Sequence, residues 1–482
     1  MLTGYSRSSP ESQAGYLVQL IGKAVVVLIS TASRVQINGH LNAFRPIYYL
    51  GCKVSLTSAI SDAINEVDPS GGRMVDLFAG TGVVASAMGA SRDVTTVDVQ
   101  EYSRVICSAI LRPPRLSDQK ICNLSNEVAK GQFSSRLLWC IAPLAEHEHR
   151  CMISANNGEI DGLIELLEAP SLVLVEEFGF IGEGSALGKA TYEVIQRMQM
   201  EGLWNSSETT VTRNFGGVYF SYQQAALLDA ALNVAARSDE DIKDGLTAVA
   251  ISTASSLVNT VGKQFAQPIQ PRSKSGEIKL SLAKTVQRDR SIEMLGSYQS
   301  WLQKYVNLVP AVGASTMLRQ DYLDALTTHG KDFSVVYADP PYTRDHYSRF
   351  YHVLETMCLR DNPQISRVKK RGETTFSRGL YREDRHQSPF CIRSEAPGAF
   401  DALFKAASGH ELPLVLSYSP HEAGDGTHPR VVSMAQVVDL ANAYYKRVEI
   451  SVVEGMSHNK LNRNDLKLTK REHAEVLLKC FC

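Results

Sequence analysis

The chain has 482 residues, 44% hydrophobic and 21% charged, an ordinary globular composition and a length that suits a catalytic core with one or two additions. Its 50 Lys and Arg against 51 Asp and Glu leave a net charge of −1. That excludes nucleic-acid binding through global positive charge, so any such affinity must come from local basic surface.

Residues 17–30 are apolar but interrupted by Lys23, and they fall short of the ~20 residues that span a bilayer. No membrane partner is expected, and residues 1–45 read as an N-terminal extension containing a packed element. Apolar residues at helical spacing predict a helix over Val54–Glu66. Arg73–Gly82 (Arg-Met-Val-Asp-Leu-Phe-Ala-Gly-Thr-Gly) reads as a buried strand, Met74–Phe78, closing in a glycine turn before a helix at Val83–Gly89. Gly80 and Gly82 lack Cβ, so the backbone there can bend sharply and approach a ligand closely. Val94–Asp98 is a second β-branched strand, ending in the kind of acid that holds a ribose hydroxyl pair in nucleoside-binding α/β folds. A helix follows over Tyr102–Leu111.

From Arg112 to about Asn307 runs a long insertion. Gln224–Arg237 and Leu246–Leu257 are alanine-rich with helical patterns, Asn214–Phe220 is a loop-like aromatic and glycine-bearing piece, and Gln264–Ser275 is polar, proline-broken and basic. Strands are predicted again at Ser315–Leu318, Phe333–Ala338, Leu414–Tyr418, Val448–Val453 and Glu475–Lys479, separated by helical patterns at Tyr322–Thr327, Phe350–Leu359, Phe400–Ser408 and Val432–Tyr445. This alternation predicts an α/β protein with a mainly parallel sheet covered on both faces. Asp361–Pro397 has few apolar anchors, and loops beyond ~15 residues are usually functional or disordered. It carries Arg367, Lys369, Lys370, Arg371, Arg378, Arg382, Arg385 and Arg393, and a second basic cluster holds Lys460, Arg463, Lys467, Lys470 and Arg471. A solvated face explains either cluster alone. Closeness to the motif described next favours nucleic-acid contact for the first. The nine cysteines show neither a Cys-x-x-Cys pair nor a Cys/His spacing typical of zinc, so no metal is expected and a reducing cytoplasm is.

Val335–Ala338 runs directly into Asp339-Pro340-Pro341-Tyr342. One strand end thereby presents a carboxylate, two backbone carbonyls and an aromatic ring, at the place where open α/β sheets bind ligands. The set suits a planar ring bearing an amine: Tyr342 stacks on it while Asp339 and the Pro340 carbonyl accept its N–H bonds. A simple proline turn explains the two prolines but not the flanking acid and aromatic.

Four segments together resemble S-adenosylmethionine-dependent adenine-N6 DNA methyltransferases of the Dam type: Tyr49-Leu50-Gly51-Cys52-Lys53, Asp76 to Gly82, Arg319-Gln320-Asp321-Tyr322 and Asp339 to Tyr342. The likeness is good over roughly residues 45–110 and 310–360, with weaker echoes at Leu414–Tyr418 and Ala474–Cys480; Cys52 stands where relatives more often carry a small residue. The resemblance implies a Rossmann-like class I methyltransferase with a seven-stranded, mainly parallel sheet. It implies a cofactor half at 46–111, a mostly helical target-recognition insertion at 112–307, and a catalytic half at 308–482 that includes the basic loop 361–397. Tyr49, Lys53, Asp76, Phe78, Gly80, Gly82, Asp98 and Asp321 are then expected to bind S-adenosylmethionine, with Asp339, Pro340, Pro341 and Tyr342 at the catalytic centre. His346, Arg349, Lys369, Lys370 and Arg371 are expected to contact DNA. Plainer readings stand beside several of these: Asp321 as a helix N-cap, Phe78 as core, Lys53 as an exposed lysine, and His346 and Arg349 as the first turn of a helix.

The implied function is methyl transfer to the N6 amine of a flipped-out adenine in double-stranded DNA, in the cytoplasm. Related motifs in guanine-N2 ribosomal RNA enzymes and protein glutamine enzymes lie much nearer the cofactor loop. Here some 260 residues separate Gly80 from Asp339, which favours DNA, while an RNA adenine substrate and a catalytically silent DNA binder stay open. No endonuclease motif is apparent. In a restriction-modification or phage-defence system the cutting partner would be a separate polypeptide.

Overall fold

The structure, a computed structural model, describes residues 18–21, 24–29, 44–49, 51, 53–179, 182, 184–344, 346–370, 373–377, 379–419, 430–454 and 473–482. The strands are β1 (Val18–Ile21), β2 (Ala24–Ile29), β3 (Met74–Asp76), β4 (Val94–Asp98), β5 (Ser315–Arg319), β6 (Val335–Ala338), β7 (Arg367–Lys370), β8 (Glu373–Phe376), β9 (Leu414–Tyr418), β10 (Arg447–Glu454) and β11 (His473–Phe481). Nine of them form one sheet in the order β1-β2-β10-β11-β9-β6-β3-β4-β5.

The seven strands from β10 to β5 are the expected class I methyltransferase sheet, at the predicted positions to within a few residues. β5, β4, β3, β6 and β9 run parallel, and β11 lies antiparallel between β9 and β10. The N-terminal extension adds two strands to this expected seven-stranded sheet. The β1–β2 hairpin joins the edge, with β2 parallel to β10.

β3 and β6 are buried at every residue, as expected of central parallel strands covered on both faces. Successive side chains point to opposite faces. Val75, Val336, Ala338, Leu414 and Leu416 pack one way, against the Tyr322–His329, Ala396–Gly409 and Met434–Asn442 helices. Met74, Val335, Tyr337 and Val415 pack the other way, against the Thr57–Val67 and Val83–Met88 helices.

Residues 112–307 are mostly helical, as the alanine-rich patterns predicted. Their side chains do not form a core apart from the sheet domain: Leu137, Leu228, Ile251 and Tyr298 share one apolar cluster with Val105 and Ile106 of the Glu101–Leu111 helix and with Tyr351 and Leu354 of the Tyr347–Leu359 helix. The piece Asn214–Phe220, expected as a loop, ends the Thr210–Phe215 helix and is buried, with Tyr219 and Phe220 fully enclosed.

Asp361–Pro397, expected as a loop-rich segment with few apolar anchors before Pro389–Ile392, is anchored earlier as well, at Leu380 and Tyr381. It contains the β7–β8 hairpin, and Leu380, Tyr381, Phe390 and Cys391 are buried. Arg382 is buried too, its charge taken up by Asp361 at 2.6 Å and Asp384 at 2.9 Å. It is an anchor and not part of an exposed basic face.

Leu416 is fully buried in β9, directly opposite Ala338 of β6. Leu416→Ala is expected to cost about 2–5 kcal/mol in chemical denaturation, and a loss below ~1 kcal/mol would contradict this packing.

Candidate active site

Strands β4 and β6 flank β3 on opposite sides, so the connections leaving β3 and β6 diverge, and a crevice opens at the strand ends there. A cleft with about 1220 Å³ of free space, counting its open mouth, occupies that position. Each wall comes from a different strand end: Asp76 to Thr81 after β3, Asp98 to Gln100 after β4, Gln320 to Tyr322 after β5, and Asp339 to Thr343 after β6. Tyr49, Gly51, Lys53, Tyr347, Ser348, His386 and Phe390 complete it.

The glycine turn is built for close approach. Gly80 and Gly82 have φ of +52° and +69°, a region costly for residues with a Cβ. A Cβ on Gly80 would lie 2.6 Å from the Tyr49 hydroxyl, so the Tyr49 ring sits directly on the turn. Tyr49 is held from behind by stacking on Tyr351, with centroids 5.1 Å apart. Asp98 accepts hydrogen bonds from the Gly80 N–H at 3.0 Å and the Gln100 N–H at 2.9 Å, joining the ends of β3 and β4. Glu355 of the Tyr347–Leu359 helix accepts from the Glu101 and Tyr102 N–H groups at 3.1 and 3.0 Å. It thereby satisfies two of the first amides of the Glu101–Leu111 helix.

Lys53 lies at the other end of the cleft, between two acids. Its ammonium is 3.1 Å from Asp339 Oδ1 and 2.8 Å from Glu475 Oε1. The Lys53 and Glu475 side chains are 8% and 1% exposed, whereas Asp339 is 20% exposed and faces the cleft. Burial pushes Asp339 up to about 6, with Lys53 opposing and Glu475 adding to the rise. Burial works to lower Lys53, yet Asp339 and Glu475 together hold it well above an ordinary lysine. Asp76, 2% exposed, is raised to about 8 by burial and by the charges of Asp339 and Asp98, against a hydrogen bond from the Phe78 N–H. Burial also raises Asp98.

The Tyr342 ring is half-buried at the cleft wall, edge-on to Tyr418 at 5.1 Å, with the Arg430 guanidinium 4.6 Å from its centre. Phe78 meets Tyr322 and Phe390 at 5.4 Å each. Asp321 caps the Tyr322–His329 helix, accepting from the Leu323 N–H at 2.9 Å, and also lines the cleft.

Of the residues singled out in the sequence, Tyr49, Lys53, Asp76, Phe78, Gly80, Asp98, Asp321 and Asp339 to Tyr342 meet in this one cleft. Gly82 does not reach it, standing at the N-terminus of the Val83–Met88 helix, tight against Cys107. His346 precedes the Tyr347–Leu359 helix. Arg349 is exposed on that helix, its Nε donating to the Tyr381 hydroxyl at 3.0 Å. Lys369 is exposed on β7, where Lys370 ends the strand. Leu50, Cys52, Arg371, Arg378 and the basic cluster 460–471 lie outside the described residues. Tyr347, read in the sequence with His346 and Arg349 as a candidate DNA contact, lines this cleft, whereas sequence reasoning gave no site role to Glu475, His386 or Phe390. A signal existed only for Glu475, an acid inside the apolar run Ala474–Leu478, where an unpaired charge is costly.

Comparison with known proteins agrees with the motifs. Residues 49–136 match the model of the D12 class N6 adenine-specific DNA methyltransferase family. The modification methylase LlaI of Lactococcus lactis subsp. lactis is 23% identical over 432 residues, 89% of this chain and 54% of that protein. The type II methyltransferase M.FokI of Planomicrobium okeanokoites is 22% identical over 372 residues, 77% of this chain and 44% of that protein. The chain thus spans about half the length of these relatives. No solved structure matches it. The likeness to adenine-N6 DNA methyltransferases is thereby borne out, and among the described residues no helix is long and apolar enough to cross a membrane.

The raised acids set a pH dependence. A carboxyl whose pKa rises on folding contributes stability that is fully present below its unfolded value of ~4 and lost as pH climbs through the folded value. For Asp76 that window ends near 8 and for Asp339 near 6. Asp76→Asn is expected to flatten the fall in Tm of the ligand-free protein between pH 5 and 8. An unchanged Tm–pH slope would show that Asp76 is not held protonated.

Proposed function

We propose that this protein is a site-specific DNA adenine-N6 methyltransferase, using S-adenosylmethionine to methylate an adenine turned out of the duplex. The observation that carries this reading is the convergence, in one cleft, of the Gly80 turn, the strand-end acid Asp98 and the Asp339–Tyr342 strand end. The names of the family and of the two relatives support the same substrate.

The cleft suits this cofactor on charge. Four carboxylates, Asp76, Asp98, Asp321 and Asp339, line it with a single lysine, and burial has raised three of them. A ligand bearing positive charge relieves that penalty. Asp98 is placed for the ribose hydroxyls, the Tyr49 ring and the Gly80 turn for close backbone contact, and Phe78 and Asp321 for the purine. When bound, S-adenosylmethionine supplies an electrophilic methyl whose bond electrons leave with sulfur.

Adenine N6 is a poor nucleophile because its lone pair is delocalised into the ring. Accepting its N–H bonds at Asp339 and the Pro340 carbonyl favours a tetrahedral nitrogen with a localised lone pair, in a site shielded from water. The proton lost when the N–C bond forms is one already shared with those acceptors. Tyr342, backed by Tyr418, replaces part of the stacking given up on flipping, worth ~1–3 kcal/mol for a base on an aromatic ring.

DNA must be held by local positive surface. Arg349 and Arg385 both lie against the Tyr381 ring, at 5.3 and 5.6 Å, and among the described residues neither has a carboxylate partner. Each is one residue from a cleft wall, at Ser348 and His386, whose hydroxyl and carbonyl are hydrogen-bonded at 2.5 Å. This pair, with exposed Lys369 and Arg393, is assigned to the phosphates flanking the target base. Helices of 112–307 are assigned to target recognition.

Two measurements test the reading. Asp339→Ala is expected to lower methyl transfer from labelled S-adenosylmethionine into N6-methyladenine by at least ~10²-fold while cofactor binding persists; wild-type activity would refute the assignment. Replacing Arg349 and Arg385 together with Gln is expected to weaken DNA binding and reduce the slope of log K against log salt by about 2. An unchanged slope would remove the pair from the DNA interface.

A further inference from the structure

Glu475 is the third residue of β11 and would ordinarily be read as part of the sheet alone. Because β11 runs antiparallel between β9 and β10, its first residues lie beside the last residues of β9: Val476 pairs with Tyr418, while Leu416 pairs with Ala338 of β6. Glu475 therefore stands at the end of the sheet where Asp339 emerges, two strands away, and Lys53 fills the space between them. Its side chain is 1% exposed, a position that an acid holds only when it is paired and hydrogen-bonded.

We propose that Glu475 is a positioning residue for methyl transfer: it fixes the Lys53 ammonium so that Lys53 meets Asp339 through Oδ1 and leaves Oδ2 to accept the target amine. A lysine carries three N–H donors on a flexible stem. With Asp339 as its sole acid partner it could engage both oxygens and compete with the amine. The Glu475 hydrogen bond of 2.8 Å holds it to one side. The charge arithmetic agrees. Lys53 offsets one of the two carboxylates, so the triad keeps a net negative charge facing the substrate. Among the described residues, the other ionisable groups acting on these three include Asp76 from β3, Tyr337 from β6, and Tyr342 and Tyr347, with Arg430 beyond the Tyr342 ring.

This inference rests on the proposed methyl transfer, and its test separates the two. In the full-length protein Glu475→Ala is expected to lower kcat by ~10²-fold, the scale of an ångström-sized misplacement, with S-adenosylmethionine affinity and KM for DNA little changed. Glu475→Gln keeps an oxygen for Lys53 but removes the charge that raises Asp339. It should restore part of kcat and move the acidic limb of the kcat–pH profile to lower pH. The same downward shift is readable without turnover, in the 13C carboxyl titration of Asp339 assigned with Asp339→Asn. If Glu475→Ala fails to fold, the Gln variant and its titration decide the matter. Normal kcat in Glu475→Ala, or an unmoved limb and titration in Glu475→Gln, overturns the proposal. A shifted titration in a protein that methylates no DNA upholds the positioning role and overturns the functional reading instead.

Discussion

The site depends on keeping one carboxylate charged in a place that opposes charge. Asp339 leaves a fully buried strand and is one-fifth exposed, so desolvation pushes it toward its neutral form. A protonated acid would donate a hydrogen bond where the proposed chemistry needs an acceptor. Lys53 opposes that drift from 3.1 Å and is itself secured by Glu475. The three residues come from positions 53, 339 and 475, so this one interaction requires almost the whole chain to be folded.

The remaining geometry can be seen as support for that point. The parallel strands β3, β4, β5 and β6 bring four carboxylates to one crevice, and only a sheet shielded on both faces can hold them there. The long helical segment contributes through packing: its apolar side chains merge with those of the Glu101–Leu111 and Tyr347–Leu359 helices. Those two helices are tied by Glu355 and carry Tyr102, Tyr347 and Tyr351 behind the Tyr49 side of the cleft. The segment after β6 closes the opposite wall with His386 and Phe390. What reads as a basic loop in sequence is therefore partly a wall, anchored by the neutralised guanidinium of Arg382.

The sequence by itself determined the elements and the chemistry that sits at their ends. Apolar and β-branched runs, alternating with helical apolar patterns, located the seven strands from β10 to β5, because burial is written residue by residue. The Asp-Pro-Pro-Tyr strand end and the glycine turn were legible because each packs its chemical requirement into a few neighbouring positions. Only the tertiary structure decided which distant residues share the site. That Lys53 bridges Asp339 and Glu475, that the β1–β2 hairpin extends the sheet, that Arg382 is neutralised internally, and that Gly82 turns away from the cleft all follow from strand order, direction and register. Those quantities arise from packing between segments hundreds of residues apart, and no local pattern encodes them.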